Sequence, residues 1–412
     1  MIEYIVSAVT NIGIQILAKI PESLLSLFTL MMITRNISIE DYGIYSFAVA
    51  YITMFSPLCD MGMTPIITRE VSIDKQKGRF LIGTATILRM FMVAVYIGII
   101  IITTFTFKEP VKRFAVIGLL LSFLTYPLTT VNSVFYSELK IWWLSIGNIL
   151  RKIIFLGLFS FLSMFKLGLI SVVISYVLSE NLTNLFLFVV GLRYILPIYK
   201  FDIGFAKFLL KQSLPLFLTI LISMFYTKVD TVMLSFLTVN ATVGMYNAAV
   251  QFYSFMFFVA AVIGSVFFPL MSKLYNSKQF LRVAIEGIIV SLIAGLFILV
   301  IVLIAGEPLM LFVLPKKYLD AIKILKVLCI GIPFAFISII LGDILIIIGK
   351  QNLMFIISFL SSTVNILLNF ILIPKFFSIG AALATSLTQI FSLVVYSFLI
   401  LKFLPMITGD KK

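Results

Sequence analysis

Ten charged side chains stand inside otherwise apolar runs: Lys19, Arg89, Arg151, Lys152 and Lys228, against Glu22, Asp60, Glu180, Asp230 and Asp343. A charge at bilayer depth costs at least about 2.5–3.5 kcal/mol on insertion scales, so each of these groups must pair, line water or face the inside of a helix bundle. Three kinds of chemistry are open to such a set. The charges can pair and fasten helices together, the bases can hold an anionic substrate, and the acids can take up a proton or a sodium ion. Lys19, Arg89, Arg151, Lys152 and Lys228 are therefore candidates to bind substrate or line a cavity. Asp60, Glu180, Asp230 and Asp343 are candidates for ion coupling or switching. Histidine is absent, which removes Ser-His and Cys-His nucleophiles, imidazole metal sites and histidine proton relays. Cys59 and Cys329 lie in apolar runs without metal-ligand spacing and read as small buried hydrophobes. No metal site and no cofactor is expected.

Spacing sorts the set further. Lys19 and Glu22 are three apart, share a helix face and read as a local pair. Arg151 lies nine residues beyond Trp142, in a Trp-Trp pair suited to a membrane interface. At 1.5 Å per residue that places Arg151 and Lys152 about 13 Å deep, and as neighbours in sequence they point in different directions, so one of the two is expected to line a cavity. Arg69 and Glu70 fall at a helix end, where solvation accounts for them. Lys228 and Asp230 are two apart, roughly 200° around a helix, and cannot satisfy each other. Each must find its partner elsewhere, which suits a moving part better than a passive spacer.

The elements that position these residues follow from composition. The 412 residues are 62% hydrophobic and 12% charged, with a mean hydropathy of +1.19. A soluble domain averages about half apolar and a quarter charged, so the chain reads as a polytopic α-helical membrane protein with no soluble domain attached. Charged and Pro/Gly breaks punctuate twelve spans, near 8–33, 43–68, 80–106, 113–136, 141–165, 168–192, 208–236, 243–271, 280–305, 320–348, 351–373 and 378–403. The N-terminus has an acid in place of a basic n-region and is expected to be a retained first helix. Residues 1–192 and 208–412 would then form two six-helix bundles. They are joined by a linker, 193–207, whose mixture of Lys, Arg, Tyr and Phe suits the surface of an anionic leaflet. Loop lysines and arginines divide sixteen to ten in favour of a cytoplasmic N-terminus, and an even span count puts the C-terminus on the same side. The net charge of +14 is accounted for by this topology and by lipid headgroups, without a nucleic-acid partner.

An internal repeat marks the midpoint. "YGIYSFAV" at 42–49 aligns with "VGMYNAAV" at 243–250 at an offset of 201, matching Gly43, Tyr45, Ala48 and Val49 to Gly244, Tyr246, Ala249 and Val250. Each copy opens the second helix of a six-helix half. Six is even, so the repeat is parallel, about an axis normal to the membrane. Three stretches also resemble polysaccharide transporters of the O-antigen flippase type, in the multidrug/oligosaccharidyl-lipid/polysaccharide exporter superfamily. The first is "RNISIEDYGIYSFAVAYITMFSPLCDMGMTPIITREVS" at 35–72, with Arg35, Glu40-Asp41-Tyr42-Gly43, Asp60-Met61-Gly62 and Arg69-Glu70. The others are "KVDTVMLSF" from Lys228 and "VNILLNFILIPKFFSIGAALATSLTQ" at 364–389.

The resemblance implies the exporter-superfamily fold, and a flippase that moves a lipid-linked glycan from the cytoplasmic to the outer leaflet of the cytoplasmic membrane by alternating access. It adds Arg35 to the substrate-contact candidates and implies a monomer that associates with glycan-assembly enzymes. One departure is visible: the ten intramembrane charges sum to zero, where the family's cavity is strongly cationic. A coupling ion, H+ or Na+, is left open. The nearer rival is a cation-coupled drug antiporter of the same superfamily, served by Asp60, Asp230 and Asp343. A glycan polymerase or glycosyltransferase would need a long loop bearing catalytic groups, which is lacking, and "GDILIIIGKQ" at 342–351 has the wrong spacing for a phosphate loop.

Overall fold

The structure, a computed structural model, describes residues 2–275, 277 and 279–408, with side chains from Lys19 to Phe403 apart from 276 and 278. The chain ends 409–412, on which part of the loop-charge count rests, lie outside the described residues. All regular elements described are helical. In chain order they are α1 (Ile2–Asn36), α2 (Ile39–Phe55), α3 (Pro57–Asp60), α4 (Met63–Ile73), α5 (Lys75–Thr104) and α6 (Pro110–Leu120). Two 3-10 turns at Leu121–Phe123 and Tyr126–Asn132 precede α7 (Ser133–Ser137), α8 (Trp142–Ser163) and α9 (Leu169–Leu192). Then come α10 (Ile203–Leu237), α11 (Asn240–Leu274), α12 (Phe280–Val313), α13 (Ala321–Ile330), α14 (Ile332–Ile347) and α15 (Asn352–Thr408).

Eight stretches among the described residues are long and apolar enough to cross a bilayer, or ten if each of two bent helix pairs is one span. Large apolar side chains stand bare along them, such as Phe297, Ile304 and Phe312 on α12, at 65–79% exposure. A helix satisfies its own backbone and can turn such a surface to lipid. The protein is a multi-pass membrane protein. α15 loses helical geometry at Phe377 (φ 52°), close to the expected gap between the last two spans.

Three expected spans are not continuous helices. The second, 43–68, breaks at Ser56-Pro57 and again at Met61 and Gly62, both left-handed. The fourth bends by 40° around residues 124–125, and the tenth by 42° at Gly331. Broken backbone at membrane depth needs outside partners, and both bends receive them. Asn181 of α9 donates to the carbonyl of Leu121 and accepts from the backbone and hydroxyl of Thr125. Ser386 of α15 donates to the carbonyl of Val327 (2.7 Å), just before the second bend.

The chain divides between Lys228 and Val229, inside α10, into two compact units. The core of the first gathers Met63, Ile67, Leu81, Ala85, Val131 and Val134 with Ile195 and Leu209, so the 193–202 segment and the first turns of α10 pack on α4 and α5. That of the second gathers Met271, Phe280, Leu341, Leu345 and Ile357 from α11, α12, α14 and α15. α2 begins at Ile39 and α11 at Asn240, which is the offset of 201 at which the sequence matches itself.

Candidate functional site

Asp60 ends α3 immediately before the left-handed pair Met61-Gly62. A Cβ on Gly62 would lie 2.8 Å from the Phe217 nitrogen and 3.0 Å from the Ser213 carbonyl, so only glycine lets the break pack against α10. The turn directs Asp60 to Arg89 of α5. The Arg89 guanidinium bonds Asp60 and donates to the hydroxyls of Thr64 (2.7 Å) and Thr130 (3.1 Å), and it faces the Tyr126 ring at 6.0 Å. Arg89 is 1% exposed. In this conformation it fastens α3, α4, α5 and the 3-10 turn to one another and does not reach an open wall.

The second constellation joins α1, α8 and α9. Arg151 donates to Glu180 at 3.0 Å and lies 3.4 Å from the Asn148 side-chain oxygen. Lys152 turns the other way, as adjacent helix positions must, and its ammonium donates to the Ser26 hydroxyl at 2.7 Å. Glu22 and Glu180 are the carboxylates whose charges bear on Lys152, and neither comes within 4 Å of its ammonium. The expected Lys19–Glu22 pair does not form. Lys19 is exposed, and a helical spacing of three provides proximity at the surface without the desolvation that would force pairing.

In the second unit, Asp230 is 9% exposed and meets no base among the described residues. Three neutral donors converge on it instead: the Tyr246 hydroxyl (2.8 Å) and the Thr385 hydroxyl (2.7 Å) on one oxygen, and the Asn369 amide (2.6 Å) on the other. Asn369 also donates to Asn365 at 3.0 Å, while its own side-chain oxygen is buried and accepts nothing among the described residues. Tyr246 comes from the repeat motif on α11, and Asn365, Asn369 and Thr385 from both arms of α15. None of the four was a sequence candidate. Their signal was present in the quoted stretch 364–389, as two asparagines four apart and a threonine in an otherwise apolar helix.

The remaining candidates lie apart from these groups. Arg35 is exposed in the last turn of α1, where a cation suits the carbonyl end of the helix. Lys228 is half-buried and makes no hydrogen bond or ion pair among the described residues. Asp343 of α14 is half-buried beside Gly264 of α11 and has no such partner either. Glu70, expected to be solvated, is 7% exposed. Lys77 at 2.7 Å and Arg69 at 2.9 Å neutralise it, because α4 packs it back against the start of α5. No three Cys, Asp or Glu side chains among the described residues come together as a metal site.

Comparison with known proteins places the chain in a family. The chain is 24% identical over 405 residues to the capsular polysaccharide biosynthesis protein CapF of Staphylococcus aureus, covering 95% of this chain and 98% of that protein. Its fold is similar to that of the lipid II flippase MurJ in an inward closed conformation, with a TM-score of 0.77 at 22% identity over 93% of this chain and 86% of that one. It is also similar to an inward-facing multidrug resistance MATE family transporter of the MOP superfamily, with a TM-score of 0.72 at 12% identity over 95% and 96% of the two chains. Residues 215–371 match the MatE family. A broader match, to the family described as polysaccharide biosynthesis protein, spans residues 8–275. That is well over half of the sequence, and the chain belongs to the polysaccharide biosynthesis protein family.

Proposed function

We propose that the protein is a flippase that carries a lipid-linked oligosaccharide or polysaccharide repeat unit from the cytoplasmic to the outer leaflet of the cytoplasmic membrane by alternating access. The observation that carries this reading is Lys152, a cation within an apolar helix whose ammonium ends on the Ser26 hydroxyl instead of an acid. Together with Lys19 and Arg151 it gives the α1–α8–α9 group three bases against the two acids Glu22 and Glu180, a surplus suited to an anionic lipid phosphate. The capsular polysaccharide relative that covers nearly the whole chain supports the same substrate class.

The architecture that fits has twelve crossings, counting α1, each bent pair as one and α15 as two. They form two six-helix halves in a parallel repeat, with 193–207 as the linker and both termini in the cytoplasm. The bends favour the repeat: Asn181 and Ser386 mend the fourth and tenth crossings from the sixth and twelfth, and lie 205 residues apart. In the second half Asp230 serves as the coupling carboxylate, taking a proton or sodium ion within its ring of neutral oxygen groups, while Asp343 lies in reserve on α14. The flippase acts as a monomer alongside glycan-assembly enzymes, without nucleic acid and without catalysis of its own.

The test is deletion in the native host with analysis of lipid-linked glycan in each leaflet. Accumulation on the inner leaflet, reversed by the wild-type chain but not by Lys152→Gln, is expected. Normal glycan export with a new drug sensitivity would instead establish the second reading, a cation-coupled antiporter, which the MatE match over 215–371 favours. Orientation is checked by impermeant thiol labelling of single cysteines at 74 and 240, where reaction at 240 only after lysis would reverse the topology.

A further inference from the structure

The end of the first unit where α5 begins holds a cavity of about 420 Å³, lined by Lys75, Gln76 and Arg79 of α5 and by Arg193, Tyr194 and Leu196 of the segment that follows α9. Two contacts pin that segment to the helix. Arg79 Nε donates to the Leu196 carbonyl at 2.8 Å, and the Ile198 amide donates to the Arg79 carbonyl at 3.0 Å. The Arg79 side chain is therefore held in place by one nitrogen while its two terminal amino groups bond to nothing among the described residues. The Arg193 guanidinium makes no bond there either.

The acids of this end are already engaged. Glu138 pairs with Lys75 at 2.5 Å and Glu70 with Lys77 and Arg69. Asp74 accepts from the first amides of α5, and Asp202 from the Phe205 amide. Among the described residues two guanidinium groups thus share one cavity without a carboxylate between them, which leaves their N–H donors open to an anion from outside. A planar fork of N–H donors matches the oxygens of phosphate better than a lone ammonium does.

The neighbouring side chains indicate where that phosphate comes from. Leu196, Tyr199, Phe201 and Ile203 are 47–64% exposed. Bare apolar groups directly beside a basic cavity are the arrangement of a membrane interface, with charges at headgroup level and apolar side chains toward the acyl region.

We propose that this cavity binds the phosphate of an anionic membrane lipid, with Arg79 and Arg193 holding its oxygens and the 196–203 segment resting among its chains. The test uses the purified full-length protein in native mass spectrometry, with phosphatidylglycerol or phosphatidylcholine added to the micelles. The wild-type chain should retain phosphatidylglycerol in preference to phosphatidylcholine. Arg193→Gln, which breaks no side-chain bond of the fold, should lower that retention about tenfold, the loss of one charge-assisted hydrogen bond. Arg79→Lys/Arg193→Gln should abolish the preference, and Arg282→Gln, at an exposed arginine paired with Glu286 in the other unit, should leave it unchanged. Equal retention by wild type and Arg193→Gln overturns the proposal. So does displacement of the lipid by millimolar inorganic phosphate, which would make the cavity a site for free phosphate.

Discussion

Replacing Asp230 by asparagine separates a working carboxylate from a structural one. Asparagine has nearly the same shape. Its oxygen can still accept from the Asn369 amide, and the hydroxyls of Tyr246 and Thr385 can turn to accept from its nitrogen. The exchange therefore loses about one net hydrogen bond, about 0.5–1.5 kcal/mol. Against this, it removes a buried charge that has no basic partner, which relieves desolvation. The two effects oppose each other, so stability should change by no more than about 1.5 kcal/mol. A carboxylate acting as half of a buried ion pair would behave differently, since breaking such a pair costs about 3–5 kcal/mol. Asp230→Ala supplies the contrast, because it takes the acceptor from the Tyr246 hydroxyl and the Asn369 amide at about 1–3 kcal/mol each, while Thr385 keeps the Ala381 carbonyl. The assay pairs thermal unfolding in detergent with flipping of a fluorescent lipid-linked oligosaccharide in proteoliposomes. Asp230→Asn should unfold near the wild-type temperature and flip at the rate of empty vesicles, while Asp230→Ala should be plainly destabilised. Wild-type flipping by Asp230→Asn would refute the reasoning, as would a loss of stability in the ion-pair range.

Arg89→Gln leaves the half-buried Asp60 without its cation and should cost about 2–4 kcal/mol; Arg89→Gln/Asp60→Asn should recover part of it, and equal melting of the single and double variants would contradict the pairing. Lys152→Gln can keep a donor on Ser26, so it should melt within about 1 kcal/mol of wild type yet flip at least tenfold more slowly. Lys152→Arg should flip faster than Lys152→Gln, and identical rates would show that the charge is idle. Gly62→Ala meets both a positive φ and the α10 backbone, and should lose about 2–4 kcal/mol by chemical or thermal denaturation; a neutral result would mean that the α3–α4 break relaxes freely.

The apolar runs located most helices closely. The expected spans 141–165 and 168–192 are α8 and α9 to within two residues at each end. What they hid was discontinuity within a span. Where lipid covers one face and protein the other, hydrophobicity does not fall at a break, and the Ser-Pro and Met-Gly steps at 56–62 leave no polar gap. The groups that make the breaks tolerable also come from far away in sequence, as Asn181 does for Leu121 and Thr125. Nothing in the sequence around Asn181 marks it out, and its amide satisfies the backbone that the bend frees. Similarly, the division of the chain falls inside α10, where the sequence pattern runs on without interruption.

At the candidate sites, formal charge was legible and partnership was not. Asp60 and Asp230 look alike in sequence, each a lone acid in an apolar run. Arg89, 29 residues on, holds the first; neutral side chains up to 155 residues away hold the second. The difference decides what each acid can do. A carboxylate locked to a guanidinium can accept another cation only by giving up the first, and at Asp60 that would also free Arg89 from the hydroxyls around it. A carboxylate held by hydroxyl and amide dipoles can gain and lose a small cation while its donors merely rotate. Asp60 thus fastens α3 to α5, and under the proposed function Asp230 is the carboxylate that exchanges. The i,i+2 offset from Lys228 fits that proposal, since a lysine one turn away on the same face would have neutralised the acid permanently.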